Sequence, residues 1–152
     1  MIPVQKAKTV EDALRALDIA DHVVCPIAGG TDVVPGLRGK LRRFEGFNSL
    51  IDISTIPSMK TISLDGDFLV VGPACTFTDI VQNVNVRQSV PLLSQACSKI
   101  GNEQIRNRAT IGGNMVNNAP CADSIPALLI YDTEVKIRSM EQERTVRLDE
   151  LL

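Results

Sequence analysis

The sequence has no tryptophan, one tyrosine and four phenylalanines, so aromatics supply 3% of its 152 residues. Few rings are available to stack on bases, and the net charge of -2 (Lys+Arg 16, Asp+Glu 18) gives no basic excess for a polyanion; both argue against nucleic-acid binding. No apolar run approaches the roughly 20 residues of a membrane span, and residues 1–10 carry charges but no apolar signal-peptide core. There is one histidine, His22, beside Asp21 ahead of an apolar run; it is expected to be a solvated loop residue, and alone it cannot make a metal site. The four cysteines (25, 75, 97 and 121) include no C-x-x-C pair, which excludes a zinc or iron–sulfur centre built from this chain's own thiols. They are expected to be semi-buried, reduced thiols of a cytoplasmic protein.

Other signatures are missing too. No G-x-G spacing occurs, so the Rossmann dinucleotide fingerprint is absent. No G-K-[S/T] follows a glycine loop, and neither G-x-S-x-G nor H-E-x-x-H is found. Chemistry in this chain would have to be carried by a cofactor.

What is present is an ordinary globular composition, 44% hydrophobic and 22% charged. At this length a chain buries roughly 68–70% of its unfolded surface and needs no staples. The spacing predicts a helix opening at the capping box Thr9–Asp12, with Val10, Ala13, Leu14 and Leu17 on one face. Strands are predicted over 23–27 and 50–53, giving a small parallel α/β lobe over residues 1–55. Beyond it, Asp65-Gly66-Asp67 between two apolar runs predicts a hairpin. Thr76–Asp79 opens a short helix, and 91–100 forms another between Pro91 and the stop at Gly101. Alternation at 134–138 and 145–148 predicts a second hairpin. Residues 56–152 therefore read as an antiparallel sheet with helices on one face, and the whole as a two-lobed α+β protein.

Two double glycines stand out, in AGGTDVVPGL (28–37) and TIGGN (110–114). Without Cβ atoms, such a turn lets a ligand approach the backbone and can aim successive N–H groups into one anion-binding concavity. Each alone is equally an ordinary tight turn. As a pair in different lobes, with Asn114, Asn117 and Asn118 beside the second, they suit a pyrophosphate.

Together, AGGTDV (28–33), QIRNRATIGGN (104–114) and APCADSIPALLIYD (119–132) resemble the FAD-binding subunit or domain of the molybdenum hydroxylases, the xanthine dehydrogenase and carbon monoxide dehydrogenase family. LIDISTIPSMKTI (50–62) and VGPACTFTDI (71–80) extend the resemblance along nearly the whole chain. It implies the two-lobed flavin fold of the vanillyl-alcohol oxidase type, here with lobes 1–55 and 56–152. It further implies FAD as cofactor, with the pyrophosphate wrapped by Ile27, Ala28, Gly29, Gly30, Thr31, Asp32 and Val33. Thr110, Ile111, Gly112, Gly113 and Asn114 would close from the other lobe, with the Thr110 hydroxyl as a donor. Asp123 would accept from ribityl hydroxyls, and Ile100 would lie near the cofactor. No residue acts as a general acid, base or nucleophile in this reading. The implied partners are a molybdenum-cofactor subunit and a [2Fe–2S] subunit, with electrons leaving to NAD or another acceptor. Relatives continue past this length with residues that contact the isoalloxazine ring, which leaves the diphosphate and ribityl end to this chain. A non-redox nucleotide-binding module and a truncated scaffold are the alternatives.

Asp32 poses a difficulty, because a carboxylate repels a pyrophosphate. It is expected to cap the following segment or to pair with Arg106 or Arg108. The basic run 38–43 reads as a solvated face, and 147–152 as the opening of a further element that packs on a partner or continues in a longer protein.

Overall fold

The computed structural model describes residues 2–19 and 21–152. The chain opens with a three-residue strand, β1 (Val4–Lys6), followed by α1 (Val10–Leu17). The Thr9 hydroxyl accepts the Asp12 N–H while the Asp12 carboxylate accepts the Thr9 N–H, so the expected capping box is complete. Strand β2 (Val24–Ile27) leads through the glycine pair into a short helix α2 (Val33–Arg38), and β3 (Ser49–Asp52) follows. These strands form a parallel sheet in the order β1-β3-β2. Strand β1 was not expected: three exposed residues give no alternation to detect. The central β3 is the buried one, and Ile51 packs with Ala7, Ala13 and Ile56 in a small core. His22 departs from its solvated-loop expectation. It is half-buried, its Nε2 lies 2.9 Å from the buried Ser49 hydroxyl, and it ties the open end of β2 to β3.

The 65–67 hairpin forms as read. Strands β4 (Ile62–Asp65) and β5 (Phe68–Val71) pair antiparallel around a two-residue turn. Gly66 takes φ +57° at the first turn position, as a type II′ turn requires. Six helices follow: α3 (Phe77–Gln82), α4 (Val84–Ser89), α5 (Pro91–Lys99), α6 (Glu103–Arg106), α7 (Ile111–Asn117) and α8 (Ser124–Ile130). A second hairpin follows, β6 (Glu134–Arg138) and β7 (Glu143–Arg147), and a short 3-10 turn at Leu148–Glu150 comes after it. The helices come between the hairpins, so the antiparallel strands form two separate two-stranded sheets rather than one. The larger core lies here, built from Phe77, Ile80, Val86, Leu93, Cys97, Ile111 and Leu128 among others.

Three cysteines are buried and Cys121 is exposed. Burial pushes the thiols of Cys25 and Cys75 above their usual range, with the Asp79 charge adding to the effect at Cys75, and pushes Cys97 up to about 12. Thiolates are the reactive form. Ellman's reagent at pH 8 is therefore expected to titrate Cys121 promptly in the native chain and the other three only after denaturation. Prompt reaction of Cys97 in the folded protein would contradict this packing.

Candidate functional site

A cleft of about 570 Å³ lies where the loop after β2 faces the start of α7. Ala28, Gly29, Gly30, Thr31, Asp32 and Val33 form one wall, and Thr110, Gly112, Gly113, Asn114 and Asn117 the other. Phe44, Phe47, Ile53, Met59, Pro73 and Val116 make the rest largely apolar, and Val116 is 87% exposed on it. A mostly apolar concavity with a few placed polar groups is the usual form of a cofactor site.

The two walls touch. A Cβ on Gly29 would overlap the Arg108 carbonyl oxygen and sit 2.6 Å from its carbonyl carbon and 3.0 Å from Ala109 Cα. Gly29 is therefore a glycine because backbone from the other half of the chain lies against it. The Arg108 guanidinium closes the contact by donating to the Gly29 carbonyl at 3.3 Å. Gly30 takes φ +75°, a left-handed conformation that costs glycine little. Among the described residues, the backbone N–H groups of Gly29, Gly30, Thr31, Asp32 and Val33 donate to no protein acceptor. Five consecutive free amides on a cleft wall are a nest for an anion with several acceptor oxygens.

The second double glycine is not a turn. Gly112 and Gly113 occupy the first turn of α7, which Thr110 caps. Glycine is a poor helix former, which hides this helix in the sequence. The cap overrides that preference: the Thr110 hydroxyl accepts the Gly113 N–H at 3.2 Å. The other early amides are also paired, Ile111 to the Cys75 carbonyl, Gly112 to that of Pro73 and Asn114 to that of Thr110. This wall thus offers few free amides. It offers the hydroxyl proton of Thr110, whose residue is only 4% exposed, and open space beside Gly113. A Cβ on Gly112 would meet Pro73 at 2.6–2.7 Å, whereas one on Gly113 would meet only the Thr110 hydroxyl oxygen, at 3.0 Å. An antiparallel bridge between Thr76 and Thr110 sets α7 beside the start of α3.

The remaining expected residues lie elsewhere. Ile27, Ile100, Ile111 and Asp123 are not in the cleft lining. Ile27 ends β2. Ile111 is buried in the larger core, and Ile100 packs against that core. Asp123 is exposed at the start of α8, and its carboxylate accepts no hydrogen bond among the described residues. The next residue, Ser124, is completely buried and donates to Asn114 Oδ1 at 2.6 Å, tying α8 to the cleft wall.

Asp32 pairs with neither expected arginine. Arg106 donates to the carbonyls of Ile100 and Gly101 at the end of α5, and Arg108 holds Gly29. Nor does the Asp32 side chain cap α2. Its partner is Arg43, at 3.9 Å. Arg43 comes from the basic run read as a solvated face, and it lines the cleft. It donates to Asn117 Oδ1 at 2.8 Å and lies 4.8 Å over the Phe44 ring. Its partners are 11 and 74 residues away, and only the like-charge problem at Asp32 signalled that a cation was needed.

The three-dimensional fold and the sequence both have relatives. The chain is 37% identical over 143 residues to the xanthine dehydrogenase FAD-binding subunit of Escherichia coli O157:H7, covering 93% of this chain and 47% of that one. It is 33% identical over 146 residues to the 6-hydroxypseudooxynicotine dehydrogenase complex subunit alpha of Paenarthrobacter nicotinovorans, covering 96% and 48%. Among solved structures, a chain of carbon monoxide dehydrogenase from Hydrogenophaga pseudoflava superposes with a TM-score of 0.88 at 29% identity, covering 97% of this chain and 50% of that chain. Quinoline 2-oxidoreductase from Pseudomonas putida 86 shares the fold with a TM-score of 0.90 at 22% identity, over 97% of this chain and 50% of that chain. The chain spans about half the length of the curated relatives it matches. All 152 residues match one family, described as the FAD binding domain in molybdopterin dehydrogenase, and the chain belongs to it.

Proposed function

We propose that this chain holds the diphosphate and ribityl end of FAD in the cleft, as the flavin-bearing part of a molybdenum hydroxylase-type oxidoreductase. The observation that carries the reading is the run of free amides at Gly29–Val33, a donor array that matches a diphosphate and that no protein group uses. The cleft suits the rest of the ligand as well. Thr110 keeps a hydroxyl proton to donate, Gly113 leaves space beside it, and the apolar wall from Phe44 to Val116 can cover a ring system. Asp123, with an unused carboxylate, is the proposed acceptor for ribityl hydroxyls, since a carboxylate only accepts and a polyol donates. Ile27 and Ile111 belong to the two proposed FAD loops and Ile100 is proposed to lie near the cofactor, although none of the three lines the cleft. Residues 1–55 and 56–152 are the proposed two lobes, a division supported by two separate apolar cores, although the smaller core also takes in Ile56 and Met59.

When bound, FAD supplies a redox junction between the [2Fe–2S] clusters of a partner subunit and NAD or another acceptor. In this reading the chain's own residues bind and orient, and none is assigned a proton transfer. A molybdenum-cofactor subunit and a [2Fe–2S] subunit are the proposed partners, supported by relatives described as subunits or as a medium chain. Among the described residues no helix is long and apolar enough to cross a membrane. A cytoplasmic location belongs to the same proposal, supported by the free cysteines.

The test is to purify the chain with whatever accompanies it, denature it and identify the released chromophore by chromatography. Stoichiometric FAD is expected. A colourless preparation that retains its partner subunits would overturn this reading in favour of a scaffold, and a different bound nucleotide would favour a non-redox module.

A further inference from the structure

The cleft contains one cation and one anion among its described lining residues, Arg43 and Asp32. Their contact is loose. At 3.9 Å the Nη2–Oδ1 separation exceeds the roughly 2.7–2.9 Å of a charge-assisted hydrogen bond. Both side chains are half exposed, 51% and 50%. By contrast, Arg43 Nη1 is well engaged, at 2.8 Å from Asn117 Oδ1 on the opposite wall. The Phe44 ring beneath the guanidinium supports its plane. One end of the fork is therefore anchored across the cleft, while the other faces Asp32 beside the free amides and makes no hydrogen bond. A guanidinium has five donors, and most of these remain unused.

We propose that Arg43 is the specificity-determining residue for the diphosphate: held by Asn117 and Phe44, it turns its free donors from Asp32 to a phosphate oxygen of a dinucleotide lying on the Gly29–Val33 amides. This rests on the proposed FAD site and names how that site selects a charged dinucleotide over an uncharged flavin. It also resolves the Asp32 difficulty, because Arg43 offsets the carboxylate charge that would otherwise repel the ligand.

The experiment is a flavin-fluorescence titration of the full chain with FAD and with riboflavin, which lacks the diphosphate, at low and high salt. The variants are Arg43→Gln, which removes the charge and the guanidinium over Phe44, and Arg43→Lys, which keeps the charge but loses the planar fork. Circular dichroism checks that both fold. Arg43→Gln is expected to weaken FAD about tenfold or more, the scale of a lost hydrogen bond to a charged group. It is also expected to flatten the salt dependence of FAD binding and leave riboflavin binding unchanged, with Arg43→Lys recovering part of the loss. If the native chain binds FAD and Arg43→Gln binds it equally well with the same salt dependence, the Arg43 assignment fails and the FAD site stands. Equal weakening of riboflavin would show a structural role and also overturn it. If the native chain binds no FAD, the site reading fails and takes this inference with it.

Discussion

Replacing Gly29 with alanine is expected to lower the melting temperature of the chain measured without any ligand. The added methyl would overlap the Arg108 carbonyl oxygen and press on Ala109 Cα at 3.0 Å. These are backbone atoms, which cannot rotate away as a side-chain tip can. Arg108 also hydrogen-bonds the Gly29 carbonyl, so displacing one loop strains or breaks that bond. Overpacking of this kind costs about 1–3 kcal/mol. In a domain of this size each kcal/mol corresponds to roughly 2–4 °C of melting temperature. The same shift moves the free amides, so FAD binding should fall with it. An unchanged melting temperature would mean that the two walls of the cleft do not meet as described.

Gly113→Val separates binding from folding. Gly113 sits in the first turn of α7 and lines the cleft, and a Cβ there would meet only the Thr110 hydroxyl oxygen, at 3.0 Å. Glycine is the poorest helix former after proline, so valine carries little intrinsic cost there and is expected to leave the stability within about 1 kcal/mol of native. The isopropyl group would occupy the space beside Thr110 that the proposed diphosphate needs. FAD affinity is expected to drop by about a hundredfold, the equivalent of about 3 kcal/mol. Circular dichroism with a flavin titration reads both quantities. Native affinity in a folded Gly113→Val chain would remove α7 from the site. The double glycines thus serve different purposes. Gly29 and Gly112 admit neighbouring protein, Gly30 supplies a left-handed turn, and Gly113 leaves room in the cleft.

Local signals carried most of the fold into the sequence. The capping boxes at Thr9 and Thr76, the proline-to-glycine span from Pro91 to Gly101 and the two hairpins are short-range chemistry, and each appears in the structure. Three of the unpredicted elements, α2, α7 and α8, contain residues that normally argue against a helix. Pro35 and Pro126 lie inside α2 and α8, but both fall in the first turn, where no intrahelical N–H bond is lost. The glycine pair concealed α7 in the same way. The loop at 28–33 and the start of α7 were legible as a facing pair because each has a local anomaly of its own. Arg43 was not, because its relation to Asp32 and Asn117 arises only when the segment after α2 folds back over the cleft. The charge conflict at Asp32 was readable, but the arginine that answers it was not.

The most direct test of the account is an amide NMR titration of the full chain with FAD, followed residue by residue. The N–H resonances of Gly29, Gly30, Thr31, Asp32 and Val33 are expected to shift strongly with FAD as their free donors take phosphate oxygens, and to stay in place with riboflavin. FAD binding that leaves those five amides unmoved would place the diphosphate elsewhere and contradict the central claim.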